Sequence, residues 1–191
     1  MRKTLVLSAL LLATSAIAVE AQSTKLPQTR QGFGISVGLG AGLGNIDCDG
    51  CDFDSETALS GYLRLGGYMK PNLFIGGETT GWMKDVDGAD TQIGFLNAVA
   101  QWYPQVEQGF YLKGGLGFAR ATAKDGSDEL SLSGPAFTLG AGYDWRLRSN
   151  LSLTPYLNYV RSTENDIKFN DVNVAKGTVN VLQFGIGLTW H

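Results

Sequence analysis

Histidine is nearly absent from this sequence: His191 is the single one among 191 residues. Charge is sparse, at 17 % of positions, and cysteine is limited to Cys48 and Cys51. Five prolines against 26 glycines exclude a collagen-like chain and a proline-rich linker. With so little chemistry on offer, Glu78 or Asp144 alone would have no activated nucleophile to serve. The glycine run "GLGAGLG" lacks the G-x-G-x-x-G spacing and opens no helix, so it supports no nucleotide site and no cofactor is expected.

Long apolar runs are missing too, except at the start. "MRKTLVLSALLLATSAIAVEAQ" joins a basic beginning (Arg2, Lys3) to an apolar stretch from Leu5 to Leu12 and then to small residues. That is the layout of a secretory signal peptide, too short to span a bilayer. Cleavage after Ala18 or Ala21 fits, with Ala21 favoured. Residues 1–21 are therefore expected to be removed, leaving 22–191 as one domain with 22–31 as a short periplasmic segment. Past Ala21 the chain holds 13 basic and 17 acidic residues, a net charge of −4. No basic patch invites nucleic acid.

What is present is alternation. In "VNVLQFGIGLTWH" the residues Leu182, Phe184, Ile186, Leu188 and Trp190 are large and apolar, and those between them are mostly small or polar. Such alternation marks a strand with two unlike faces. It recurs from about Gly32 to Gly44, Thr57 to Tyr68, Leu73 to Met83, Thr91 to Tyr103, Phe110 to Thr122, Leu132 to Trp145 and Leu151 to Ser162. Eight strands of roughly 11–14 residues exceed the usual globular length and suit a tilted membrane crossing. Short turns ("KPN", "PQVEQG", "RLRSN") alternate with longer acidic connections at 45–56, 84–90, 123–131 and 163–176. All acidic residues past Ala21 except Glu78, Glu107 and Asp144 lie in those four connections. Short turns at one end and long loops at the other is an outer-membrane barrel layout.

Two barrels could use this pattern, and the small face separates them. A soluble barrel would show water Lys, Glu, Thr and Asn; here that face is Gly, Ser, Thr and Tyr with isolated charges. Glycine weakens a solvent-exposed strand but suits the narrow lumen of eight strands. The expected fold is all-β: an eight-stranded, antiparallel, up-and-down transmembrane β-barrel, apolar outward. Charges inside such a lumen need partners. Arg64 with Glu78, and Lys113 with Asp144, sit on neighbouring strands and are expected to form two lumen pairs. Bulky Tyr62, Tyr68, Arg64 and Lys113 would make any pore narrow or closed.

With "YLKGGLGFA", "FTLGAGYDWRL" and the closing "LQFGIGLTW", the chain resembles the small outer-membrane β-barrel family that includes OmpX-like proteins and the OmpA transmembrane domain. The resemblance implies localisation in the bacterial outer membrane. It also makes Phe184, Ile186, Leu188 and Trp190 a C-terminal signal for the barrel-assembly machinery. Two features depart from the pattern: His191 follows the final aromatic, and no peptidoglycan-binding domain follows the barrel, so no cell-wall tether is expected. Enzymes of this architecture rely on a catalytic histidine, whereas His191 falls at the periplasmic end. No enzymatic activity is expected.

"DCDGCDFDSE" is the most unusual local feature. Cys48 and Cys51 are expected to form a small disulfide, because no helix lowers a thiol pKa there. Asp47, Asp49, Asp52 and Asp54 are weak candidates for divalent cations bridging to lipopolysaccharide, with a solvated acidic loop as the plainer reading and no EF-hand spacing. Aromatics at strand ends (Trp82, Tyr103, Phe110, Trp145, Trp190) are expected in interfacial girdles. The expectation is a monomeric, non-enzymatic surface protein that meets outer-membrane lipids, lipopolysaccharide or another cell through its loops. A narrow porin-like channel is the alternative, and a lipid A-modifying enzyme a third.

Overall fold

A backbone crossing hydrocarbon must pair every N–H and C=O within itself, so alternating strands can cross only as a closed sheet. The computed structural model, which describes residues 30–48, 55–86, 89–126, 128–170 and 172–191, meets that condition. The expected signal peptide and residues 49–54 lie outside the described residues.

Ten strands form one antiparallel sheet: β1 (Gly32–Cys48), β2 (Glu56–Lys70), β3 (Leu73–Val86), β4 (Ala89–Trp102), β5 (Phe110–Asp125), β6 (Asp128–Tyr143), β7 (Trp145–Arg148), β8 (Leu151–Ser162), β9 (Asn165–Phe169) and β10 (Val172–Trp190). The ladder from Ile35↔Trp190 to Cys48↔Gly177 joins first strand to last and closes the barrel. The ten strands make eight passes, because β7 continues β6 past a break at Asp144 and β9 continues β8 past Thr163. The second break has a clear cause. Thr163 N–H bonds the carbonyl of Pro135 (2.8 Å); N–H and C=O of a strand residue point the same way, so Pro135 lacks its donor on that side.

The distribution of apolar groups is inside out. Phe184 is 49 % and Ile186 58 % exposed, while Val181 and Gln183 between them and the loop end are fully buried. Leu39, Leu96, Leu116 and Phe118 continue the outer belt around the barrel. Facing glycines bring the backbones together on the inner side. A Cβ on Gly40 would strike the Phe184 carbonyl, and one on its partner Gly185 the Leu39 carbonyl.

All four long connections are shorter than expected, the first because β1 runs to Cys48 and β2 starts at Glu56. The β3–β4 ladder runs to Val86↔Ala89 and the β5–β6 ladder to Asp125↔Asp128. Residues 163–176 hold β9 and the start of β10. Both faces of these extensions carry polar residues, which hid them from an alternation test. The girdle expectation also needs correction. Phe110, Trp145 and Trp190 face outward, but Trp82 and Tyr103 are buried inside.

Ile186 lies midway along the belt of β10, between Leu182 and Trp190. Ile186→Arg should lower stability by about 2–4 kcal/mol, the usual penalty for a cation at mid-bilayer depth. Urea titration in lipid vesicles measures it, and an unchanged midpoint would place this residue away from lipid.

Candidate functional site

The interior is filled at three levels. Toward the loop end lies an apolar layer: Trp82, Ile93, Phe95, Leu132, Val160, Ile167, Val179 and Val181 pack together. Trp82 anchors it by donating its indole N–H to the Gly42 carbonyl (2.9 Å). A cavity of about 20 Å³ lies beside this layer among Ile46, Ala121, Leu132 and Ile167, room for about one water. Sequence reasoning missed this layer. Its signal was "QIGFLNAVA" in β4, where both parities are apolar.

The middle level is ionic. Arg64 Nε donates to Glu78 Oε2 (2.8 Å), and Lys113 Nζ donates to Glu78 Oε1 (2.5 Å) and Oε2 (2.8 Å). All three side chains are at least 98 % buried. The structure therefore brings Arg64 and Glu78 together across the β2–β3 register. It does not bring Lys113 to Asp144. Lys113 stands opposite Gly140, four residues from Asp144 on the same face, and instead crosses the lumen to Glu78. One carboxylate thus serves two cations. Asn97, Gln101 Nε2, Thr80 Oγ1, Tyr111 OH and Thr138 Oγ1 are buried nearby without protein partners among the described residues. This level is the part of the bore polar enough to suit water.

Asp144 belongs to a third level at the turn end. It accepts from Tyr103 OH (2.8 Å) and Thr154 Oγ1 (2.9 Å), and Arg30 Nε lies 3.8 Å away. Arg30, two residues before β1, stacks over the Tyr103 ring (3.7 Å) and donates to the carbonyls of Val106 (3.0 Å) and Gln108 (2.7 Å). Arg30, the first described residue of the expected short periplasmic segment, is therefore a plug, for which the alternation gave no sign. Hydroxyls link the levels: Thr154 bonds Thr189, Thr189 bonds Ser36, and Ser36 bonds Tyr62. Ser36 lies in "GISVG", a G-x-S-x-G spacing, but inside β1 and not at a strand-to-helix turn. It has no nucleophile-elbow geometry.

His191 turns inward, away from the outward row of Phe184, Ile186, Leu188 and Trp190. Its ring bonds Tyr68 OH (2.7 Å) and Ser152 Oγ (3.1 Å). Burial, reinforced by the Arg146 and Arg30 cations, pushes its pKa from 6.5 down to about 3. The 4.0 Å approach of its Nε2 to Asp144 is thus no ion pair at neutral pH.

At the loop end, acids and bases are interleaved. Lys84 pairs with Glu56, Lys124 with Glu129 (3.0 Å), Arg161 with Asp47 (3.9 Å) and Lys176 with Glu164 (3.9 Å). Of the acidic cluster only Asp47 is described; Asn180 also donates to it (3.4 Å). Asp49, Asp52 and Asp54 lie outside the described residues, and among the described residues no metal-binding group of side chains converges. Cys48 is disulfide-bonded; Cys51, the other cysteine of the chain, lies outside the described residues. The β9–β10 hairpin stands beyond the belt and exposes Phe169, Val172 and Val174. Asn170, at φ 47°, opens its turn and ties it to the β5–β6 hairpin through the backbone of Glu129 (3.0 Å each way).

The model of the family described as outer membrane protein beta-barrel domain matches residues 9–191. Among solved structures, neisserial surface protein A (NspA) superposes with a TM-score of 0.65 at 16 % identity, covering 85 % of this chain and 98 % of that one. Ail, the attachment invasion locus protein of Yersinia pestis, gives 0.56 at 17 %, covering 84 % and 99 %. OprG from Pseudomonas aeruginosa gives 0.52 at 20 %, covering 87 % and 100 %. A search of curated proteins finds no match. At these identities the likeness to the solved structures is one of fold.

The revised pairing is testable by double-mutant cycles. Glu78→Ala should cost about 3–5 kcal/mol, since it strands two buried cations, and far more than Asp128→Ala at the loop end. Lys113→Met should couple strongly to Glu78→Gln and be additive with Asp144→Asn; the reverse pattern would restore the Lys113–Asp144 pair. His191 makes a second prediction. The unfolded chain takes up a proton near pH 6.5 that the folded chain refuses until about 3. Its contribution is complete above pH 6.5 and is lost as pH falls through that window, by up to about 1.4 kcal/mol per pH unit. His191→Gln should flatten the stability curve there, and superimposable curves would show that the ring is not held neutral.

Proposed function

The chain belongs to the outer membrane protein beta-barrel domain family, whose place is the bacterial outer membrane, and on that premise we propose that it is a non-catalytic surface-interaction protein. The turn end, holding both Arg30 and His191, faces the periplasm, and the loop end faces outward. Residues 1–21 serve as the cleaved signal peptide, and the outward row Phe184, Ile186, Leu188 and Trp190 is presented to the barrel-assembly machinery. The barrel works as a monomeric rigid frame among outer-membrane lipids.

One observation supports this reading above the others. The β9–β10 hairpin carries exposed Phe169, Val172 and Val174 beyond the lipid belt, on strands continuous with a bore packed shut beneath them. Exposed apolar groups in water mark contact surfaces, and a filled bore leaves the protein no transport task. The hairpin's hydrogen bonds to Glu129 hold it still, which spares a partner the ordering penalty of a loose loop. The named neighbour Ail is an attachment invasion locus protein, in keeping with an outward-facing role.

Two measurements check this. In planar bilayers the purified protein should produce no stable conductance steps; channels of defined size would replace the frame with a pore. Cells displaying the protein should attach to matrix-coated surfaces, and replacing Phe169, Val172 and Val174 together by serine should cut attachment several-fold while leaving the heat-modifiable gel mobility of the folded barrel unchanged. Equal attachment would move the contact surface elsewhere.

A further inference from the structure

On the outer wall, at the upper margin of the lipid belt, small residues stand beside a cation. Gly81, Gly94, Arg120 and Ser133 stand side by side on β3, β4, β5 and β6. One step toward the turn end the same strands carry Thr79, Leu96, Phe118 and Pro135, the upper margin of the belt. The two glycines are not forced by crowding. A Cβ on Gly81 would meet nothing within 4 Å, and one on Gly94 only carbonyl oxygens at 4.0 Å. Side chains would fit there, unlike at Gly40 and Gly185 in the lumen. Their absence leaves a shelf of bare backbone.

Two connected hollows open on this shelf. The lower, about 400 Å³, is lined by Leu96, Phe118, Gly94 and Arg120 and is mainly apolar. The upper, about 440 Å³, shares Gly94 and Arg120 and adds Gln92, Thr122 and Lys124 with Asp90 and Glu129. Lys124 is already neutralised by Glu129 at 3.0 Å. Arg120 is exposed and, among the described residues, has neither an ion pair nor a side-chain hydrogen bond, in contrast to Lys84, Lys124, Arg161 and Lys176.

We propose that this hollow binds a phosphorylated lipid of the outer leaflet, with one acyl chain lying against Leu96 and Phe118 beside Gly94 and the headgroup phosphate held by Arg120. The site rests on the assignment of the loop end to the outer leaflet. A cation one step above the apolar margin stands at headgroup depth, and a guanidinium grips phosphate through two parallel hydrogen bonds. The apolar hollow at Leu96 and Phe118 lies on the belt side of that cation. Charge and polarity thus match a phospho-headgroup and its tail in the order in which a lipid presents them.

Native mass spectrometry of the full barrel in micelles, titrated with bis-phosphorylated lipid A and separately with the same glycolipid stripped of phosphate, tests this. Wild type should retain one phosphorylated lipid, and Arg120→Gln should bind it about tenfold more weakly, the usual loss for a charge-assisted pair. The dephosphorylated lipid should bind both weakly and equally. Gly94→Leu, which fills the shelf without touching the cation, should weaken both lipids. Arg161→Gln, an outward arginine already paired with Asp47, should change nothing. Heat-modifiable gel mobility verifies folding of each variant. Equal affinity of wild type and Arg120→Gln overturns the site, as does tight binding of the dephosphorylated lipid or a concentration-dependent dimer that Gly94→Leu abolishes. Lipid binding in micelles does not depend on attachment or conductance, so failure here leaves the surface-interaction reading to its own tests, and failure there leaves this site standing.

Discussion

The ladder between β1 and β10 is the constraint from which the rest of this molecule follows. In hydrocarbon no water can satisfy a free strand edge, so the first and last strands must find each other over the full height of the sheet. Closing only eight passes forces a tight radius, and the inner surface then has little room. Glycine seams such as Gly40 with Gly185 answer that crowding, and side chains from opposite walls meet at the axis. A narrow, filled bore is a geometric consequence of strand number, before any particular residue is considered.

Filling such a bore with charge is dangerous unless the charges cancel. Here Glu78 meets two cations, and Asp144 meets hydroxyl donors with Arg30 beside it. Above them Trp82, Phe95 and Val179 form a layer that excludes water, as the interior of a soluble protein would. The molecule therefore combines two solvents' rules along one axis: a lipid-facing exterior and, within it, both a polar network and a small dry core.

On the proposed reading, a filled frame leaves function to its rim and its outer wall. At the rim, strands extended past the belt turn what reads as loop into stiff hairpin. Ion pairs balance its charge, and a few apolar side chains remain uncovered at its tip. On the wall, a step of small residues at Gly81 and Gly94 lies beside Arg120, which has no ion pair among the described residues. Both features sit on the same rigid sheet, so a lipid held on the wall and a partner at the rim would meet a single body.

Alternation in the sequence determined the all-β class, eight passes, the direction of each face and the identity of most lumen residues, because a strand's period of two leaves no freedom about which residues share a side. It even placed Arg64 opposite Glu78, since a tight turn fixes the register of neighbouring strands. What it could not determine was how far each strand extends once both faces turn polar, or that Ile93, Phe95, Val179 and Val181 fill the bore. It also paired Lys113 with Asp144, where the closed barrel pairs it with Glu78. That last choice was made across the lumen, between strands that are not neighbours, and depends on the barrel's stagger. Arg30 lies outside every strand and acquires its place only when closure brings the turn end around it. Pairing along the chain is local and legible; pairing through the axis exists only after the sheet has closed.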